Sequence, residues 1–276
     1  MSRARWIGRV LTVLLVVLAA LLLAQRIPVF EGLLARGLVL GIGTFGKFLF
    51  LLVAAFASTR VIGKFEPGTP SRTAWQLLSA GLIAMFLGQT CFVVYQLVLR
   101  AEAPFPSLAD VFFVVAYPLM IAALAMFLRA YTASGFPIGP AAERLWLAAG
   151  AALVCLAIGY PILMPLVRKP GAPLETLLNV LYPTLDFLLL IPTVLLIRIG
   201  LRFRGGAVWK VWARLLGGFL FLCVADALFA YYSQFNWVEL EDLVDVTYLL
   251  AYGFFGLGVL YQRDLLASPI PLASSG

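Results

Sequence analysis

PFPSLADVFFVVAYPLMIAAL, Pro104 to Leu124, decides how this chain folds. The run is too apolar for a soluble surface helix and long enough to cross most of a bilayer. It opens on Ser107 and Asp110, spaced as an N-cap and an N3 acid, which predicts a capping box. The stretch has an echo, DLVDVTYLLAYGFFGL, Asp242 to Leu257. In both, a tyrosine follows an aspartate seven residues later: Asp110 and Tyr117 match Asp245 and Tyr252. The preceding apolar runs match as well. At an offset of 137, Trp75 falls on Trp212, Gly81 on Gly218, Gln89 on Asp226, Tyr95 on Tyr232 and Gln96 on Ser233. One helical hairpin is therefore written twice, in the same direction, as spans three–four and seven–eight.

Working outward, the whole chain carries the same signature. Of its 276 residues 63% are hydrophobic and 12% charged, against about 45–50% and about 25% in soluble domains. The reading is an all-α, polytopic transmembrane bundle of about eight spans over 1–264, followed by a short polar tail, 265–276. The spans are placed at about 10–25, 38–58, 74–99, 108–130, 143–165, 174–199, 211–234 and 240–261. Met1 to Gln25 reads either as a signal peptide or as a retained first span, and the lack of a clean small-x-small site after it favours the span. Fourteen lysines and arginines fall on one side of this arrangement and five on the other. By the positive-inside rule both termini are cytoplasmic. The opposite side is acidic, with Glu31, Glu102, Asp110, Glu175, Glu239, Glu241, Asp242 and Asp245.

Several function classes drop out. The chain has no histidine, which removes His-ligated haem, most zinc sites and the Ser-His-Asp and Cys-His nucleophile systems. Cys91, Cys155 and Cys223 are far apart inside apolar runs and read as small hydrophobes. No metal site, cofactor or catalytic residue is expected, and the chain is not read as an enzyme. The net charge of +7 sits between spans, where it sets orientation rather than meeting nucleic acid. GIGTFGKF, Gly41 to Phe48, satisfies GxGxxG and part of a phosphate loop. It lacks the Ser or Thr after Lys47 and any strand–turn–helix context. Gly37 and Gly41 read instead as a helix-packing GxxxG. Lys47 needs a charge partner or a wet cavity, or it snorkels.

Charged and phenolic groups inside the spans carry the functional reading. Asp186 lies near the middle of span six and Asp226 in span seven. A bare charge there costs about 2.5–3.5 kcal/mol on insertion scales. Asn179, Tyr182 and Asp186 share one helical face, as do Asp245, Tyr248 and Tyr252, and Asp110 and Tyr117. Gln89 adds a polar group on span three. Three Tyr-Pro steps, at Tyr117, Tyr160 and Tyr182, free carbonyls and bend helices in the outer half. Two readings follow: acids hydrogen-bonded as helix glue, or an outer-leaflet polar cavity that takes a small molecule, a lipid or a proton.

PSLADVFFVVAYPL, LYPTLDFLLL and DVTYLLAY resemble the N-terminal multi-spanning region of bacterial signalling proteins that carry GGDEF or EAL (cyclic-di-GMP) domains. The likeness covers about Trp75 to Tyr261 and includes Pro106, Ser107, Asp110, Tyr117, Pro118, Tyr182, Pro183, Asp186, Asp226, Asp245 and Tyr252. It implies a multi-pass sensory module of a bacterial plasma membrane. The sequence ends about fifteen residues after Tyr261, so it reads either as a stand-alone relative that signals through a separate cytoplasmic effector or as a fragment whose effector is missing. The alternatives are a small-molecule or ion transporter using mid-membrane carboxylates, and an accessory subunit of a membrane complex.

Overall fold

Apolar runs of this length can satisfy their backbone in lipid only as helices or closed barrels, and here they are helices. The computed structural model describes residues 3–24, 27, 36–101, 103–136, 139–168, 172–235, 237 and 240–267. Among these the long helices are α1 (Arg3–Ala24), α2 (Arg36–Ile62), α3 (Pro70–Val93), α4 (Leu108–Ala133), α5 (Ala141–Arg168), α6 (Pro173–Gly200), α7 (Ala207–Phe235) and α8 (Glu241–Ala267). All eight are long and apolar enough to cross a membrane. The chain is therefore a multi-pass integral membrane protein. The acidic loop residues Glu31, Glu102 and Glu239, and most of the expected tail, lie outside the described residues. α8 runs on to Ala267, into the start of that tail.

The helix starts follow local chemistry. Thr69 caps α3, its hydroxyl accepting from Arg72 N at 3.3 Å, with Pro70 at the first position. The capping box of α4 forms as the sequence predicts. Asp110 Oδ2 accepts from Ser107 N at 2.7 Å, and Ser107 Oγ accepts from Ala109 N at 3.2 Å. The end of α3 was not legible: Val94–Val98 loosens into a π-turn before Arg100, which adopts a left-handed φ of 52°.

Six helices form a closed ring in which each lies against two neighbours: α2, α3, α4, α6, α7, α8 and back to α2. α8 is the most buried span and α5 the least. The ring has an approximate two-fold repeat, since α2, α3 and α4 take the places of α6, α7 and α8. The tightest pairs, α3–α4 and α7–α8, are the repeated hairpins, and they close on equivalent atoms. A methyl added to Gly81 would lie 2.8 Å from Met120 Cγ and 3.3 Å from Ala116 O. One added to Gly218 would lie 2.6 Å from Phe255 Cδ1 and 3.1 Å from Ala251 O. Ala116 and Ala251, like Met120 and Phe255, are 135 apart, as are Asp110 and Asp245. The parallel repeat is thus a repeat of packing as well as of residue types.

The outer helices break this symmetry. α1 packs on α2 and α8 and buries Leu11, Leu15, Leu18 and Leu22. α5 packs on α6 and, more lightly, α7, and it does not reach α4 as α1 reaches α8. Its Leu145, Trp146, Leu153 and Leu156 stay exposed, as suits a lipid-facing helix. The GxxxG reading also needs correction. A methyl on Gly37 would meet no described residue, and one on Gly41 meets only Leu97 at 3.4 Å. The glycines of α2 that admit a neighbour are Gly43, against Leu22, and Gly46, against Leu18. Composition marks small residues but not which helix comes close to them.

The bundle has an acidic end, carrying the N-termini of α4 and α8, and a basic end, where α4 leads to α5 and α6 to α7. Aromatic rings fill the basic half of the interior. Phe127 meets Trp75 at 5.5 Å and Trp212 at 5.0 Å, both edge-on. Polar groups occupy the other half.

Candidate functional site

Of the candidate site residues, all the acids and every phenol but Tyr252 fall into one network and two flanking pairs. Helical periodicity points Tyr117 inward from α4, Asp186 from α6, Asp226 from α7 and Tyr248 from α8. Asp186 stands 13 residues after Pro173, about 20 Å along its helix at about 1.5 Å per residue. No water reaches that depth in lipid, so each group must find a protein partner. Tyr117, 1% exposed, lies at the centre. Its hydroxyl is 2.9 Å from Asp186 Oδ1 and also hydrogen-bonds Asp226 Oδ2. The Tyr248 hydroxyl donates to the other oxygen of Asp226. Cys223 Sγ contacts the Asp186 carbonyl oxygen at 3.8 Å.

Counting hydrogens constrains the state of this network. Its three phenol–carboxyl contacts are Asp186–Tyr117, Tyr117–Asp226 and Asp226–Tyr248, and each needs one hydrogen. The two phenols supply two. When Tyr117 donates to one acid it can only accept from the other. The third hydrogen therefore belongs to a carboxyl, and the complete network holds at least one acid in its neutral form.

The flanking pairs lie nearer the acidic end. Lys47 Nζ, from α2, donates to Asp245 Oδ1 at 2.6 Å, with the two side chains 10% and 19% exposed. The lysine thus takes a charge partner rather than snorkelling. On the other side of the ring Tyr182 donates to Asp110 Oδ1 at 2.8 Å. Lys47 and Tyr182 are 135 apart, as are Asp245 and Asp110, so the two pairs are counterparts. The repeat extends to α2 and α6, which residue identity hides because a lysine replaces a tyrosine.

Three of the expected residues stand outside the network. Gln89, buried, donates to the Thr44 carbonyl on α2 at 3.3 Å. Tyr252 is buried against the Tyr248 ring at 6.0 Å, and its hydroxyl has no hydrogen bond among the described residues. Asn179 is half-buried on α6 with no side-chain partner among them. Sequence reasoning missed Thr44, whose hydroxyl donates to Gln96 Oε1 at 2.6 Å. It also missed Glu143, which forms a two-pronged pair with Arg198 at the basic end. The 135 offset would have marked Thr44, since it falls on Asn179.

The acids point at phenols rather than into open space. A cavity of about 330 Å³ lies beside them, between α5 and α6, lined by Cys155, Tyr160, Leu163, Pro183 and Phe187 among others. Its walls are mainly apolar, and no network acid lines it. Among the described residues no group of three or more His, Cys, Asp or Glu could hold a metal ion. The chain matches no protein-family model, no curated protein and no solved structure.

Proposed function

We propose that this protein is a sensory membrane module whose responsive part is the Asp186–Tyr117–Asp226–Tyr248 network. One observation carries the reading: a single phenol, Tyr117, joins two carboxyls from different helices and so links the halves of the ring. A proton gained or lost, or a small polar group inserted, changes how many of the three contacts can be made. Interhelical hydrogen bonds in membranes are worth about 0.6 kcal/mol on average and up to about 1.7. Remaking two or three of them suffices to shift two packings about tenfold, at about 1.4 kcal/mol per factor of ten. The stimulus must favour one packing over the other, because equal affinity shifts nothing. The shift would reach the basic end through α6 and α8. Placement in a bacterial plasma membrane with both termini cytoplasmic, and a separate effector there, belong to the same proposal and rest on charge bias and resemblance.

The test is a distance measurement in proteoliposomes. Spin labels at positions 202 and 263, in a cysteine-free background, should report a change between neutral and acidic buffer that Asp226→Asn abolishes. Distances that stay fixed in the parent across that range would remove the proton from consideration. Equal responses in parent and variant would remove the network.

Transport is the second reading, and the repeat favours it. Parallel repeats related by an axis along the membrane normal are a transporter plan, with polar sites where the repeats meet. Solute or proton flux that Asp186→Asn or Asp226→Asn stops would select it.

A further inference from the structure

The broken symmetry of the outer helices leaves a gap at the basic end. Where α1 closes against α8, α5 stands off from α4. A cavity of about 200 Å³ occupies that gap, lined by Leu128, Arg129 and Thr132 of α4, Arg144 of α5, and Leu195 and Ile199 of α6. We propose that this cavity is a binding site for a phosphate monoester or diester, filled in the membrane by the headgroup of an anionic phospholipid.

The charge balance points to an anion. Arg129 and Arg144 enter the lining, and neither has a side-chain hydrogen bond or ion pair among the described residues. The adjacent acid, Glu143, is already taken by Arg198. Arg144 Nε is buried yet has no acceptor among the described residues; the same holds for Nη1 of Arg198, which stands outside the lining. Buried guanidinium N–H groups seldom stay unmet, and their planar fork matches phosphate oxygens. The depth is right for a headgroup. Arg129 lies one turn before the end of α4, and Arg144 lies in the first turn of α5.

The shape points to a lipid as the source. Apart from Thr132, whose hydroxyl donates to the Leu128 and Arg129 carbonyls, the rest of the lining, Leu128, Leu195 and Ile199, is apolar, and the α5 side chains beside it, Leu145 and Trp146, are 70% and 77% exposed. A phosphodiester can sit on the arginines while its glycerol and chains run out along α5. Basic pockets between spans hold anionic headgroups in this way.

The test uses the full chain, purified in neutral detergent, with dioleoylphosphatidylglycerol, dioleoylphosphatidylcholine and inorganic phosphate as probes. Native mass spectrometry counts retained lipid, and thermal unfolding reads affinity. Phosphatidylglycerol should bind and phosphatidylcholine should not. Arg129→Gln with Arg144→Gln should weaken binding about thirtyfold, from about 1 kcal/mol per basic residue. Leu195→Phe keeps every arginine and fills the cavity. It should also block binding, and it decides the matter if the double variant is misfolded by circular dichroism. Phosphate binding as tightly as the lipid would support the site with a soluble ligand as its source. Equal binding of the two lipids, or Leu195→Phe binding like the parent, overturns the proposal.

Discussion

Replacing Tyr117 with Phe removes one oxygen from the middle of the bundle and changes little else in shape. That oxygen makes two hydrogen bonds, to Asp186 and Asp226. Asp226 keeps a partner, because Tyr248 still donates to it. Asp186, buried on α6, loses the one phenol that its carboxyl meets among the described residues. Two interhelical bonds at about 0.6 kcal/mol each, plus about 1–3 kcal/mol for a buried polar group left unmet, give a loss of about 2–4 kcal/mol. The repeat supplies an internal control. Tyr252 occupies the equivalent place on α8 and is equally buried, but its hydroxyl makes no hydrogen bond among the described residues. Tyr252→Phe should therefore cost less than about 0.5 kcal/mol, the range of changes that touch no special feature. Reversible unfolding by sodium dodecyl sulfate in mixed micelles measures both. Losses within about 0.5 kcal/mol of one another would refute the assignment of Tyr117 as the hub.

Three further outcomes follow from the same geometry. Lys47→Met should destabilise by about 3 kcal/mol, the low end for buried pairs, because Asp245 keeps some exposure. Adding Asp245→Leu should recover most of that loss in the same assay, whereas a double variant no better than the single would mean the pair is incidental. Gly81→Leu and Gly218→Leu should each cost about 1–3 kcal/mol by overpacking; a large difference between them would break the equivalence of the hairpins. Infrared spectra at neutral pH should contain the carbonyl band of a protonated carboxyl that Asp186→Asn or Asp226→Asn removes. Its absence from the parent would contradict the hydrogen count.

Much of the fold was legible because lipid permits few solutions. The eight helices, the Ser107–Asp110 box and the repeated hairpin follow from apolar length, cap chemistry and residue spacing. Periodicity also turned the faces of Asp186, Asp226 and Tyr248 inward correctly. It could not say which distant face each one meets, because that depends on ring order, which loops of similar length do not encode. Lys47 found Asp245 from 198 residues away, and nothing local to either residue announces the other. The self-closure of the acids was hidden for the same reason: one hydroxyl oxygen, Tyr117's, decides whether two carboxyls line a space or bond to each other. The cavity at the basic end escaped notice because it comes from a contact that α5 does not make.

An even number of crossings in each half has a topological consequence. A unit such as α1–α4 begins and finishes on the same face of the bilayer. Two copies joined head to tail therefore insert in the same sense, with no additional crossing and no reversal of charge bias. Once joined, matching positions can diverge, because each is now encoded separately. Gln89 opposite Asp226, and Lys47 opposite Tyr182, are divergences that a pair of identical subunits could not hold.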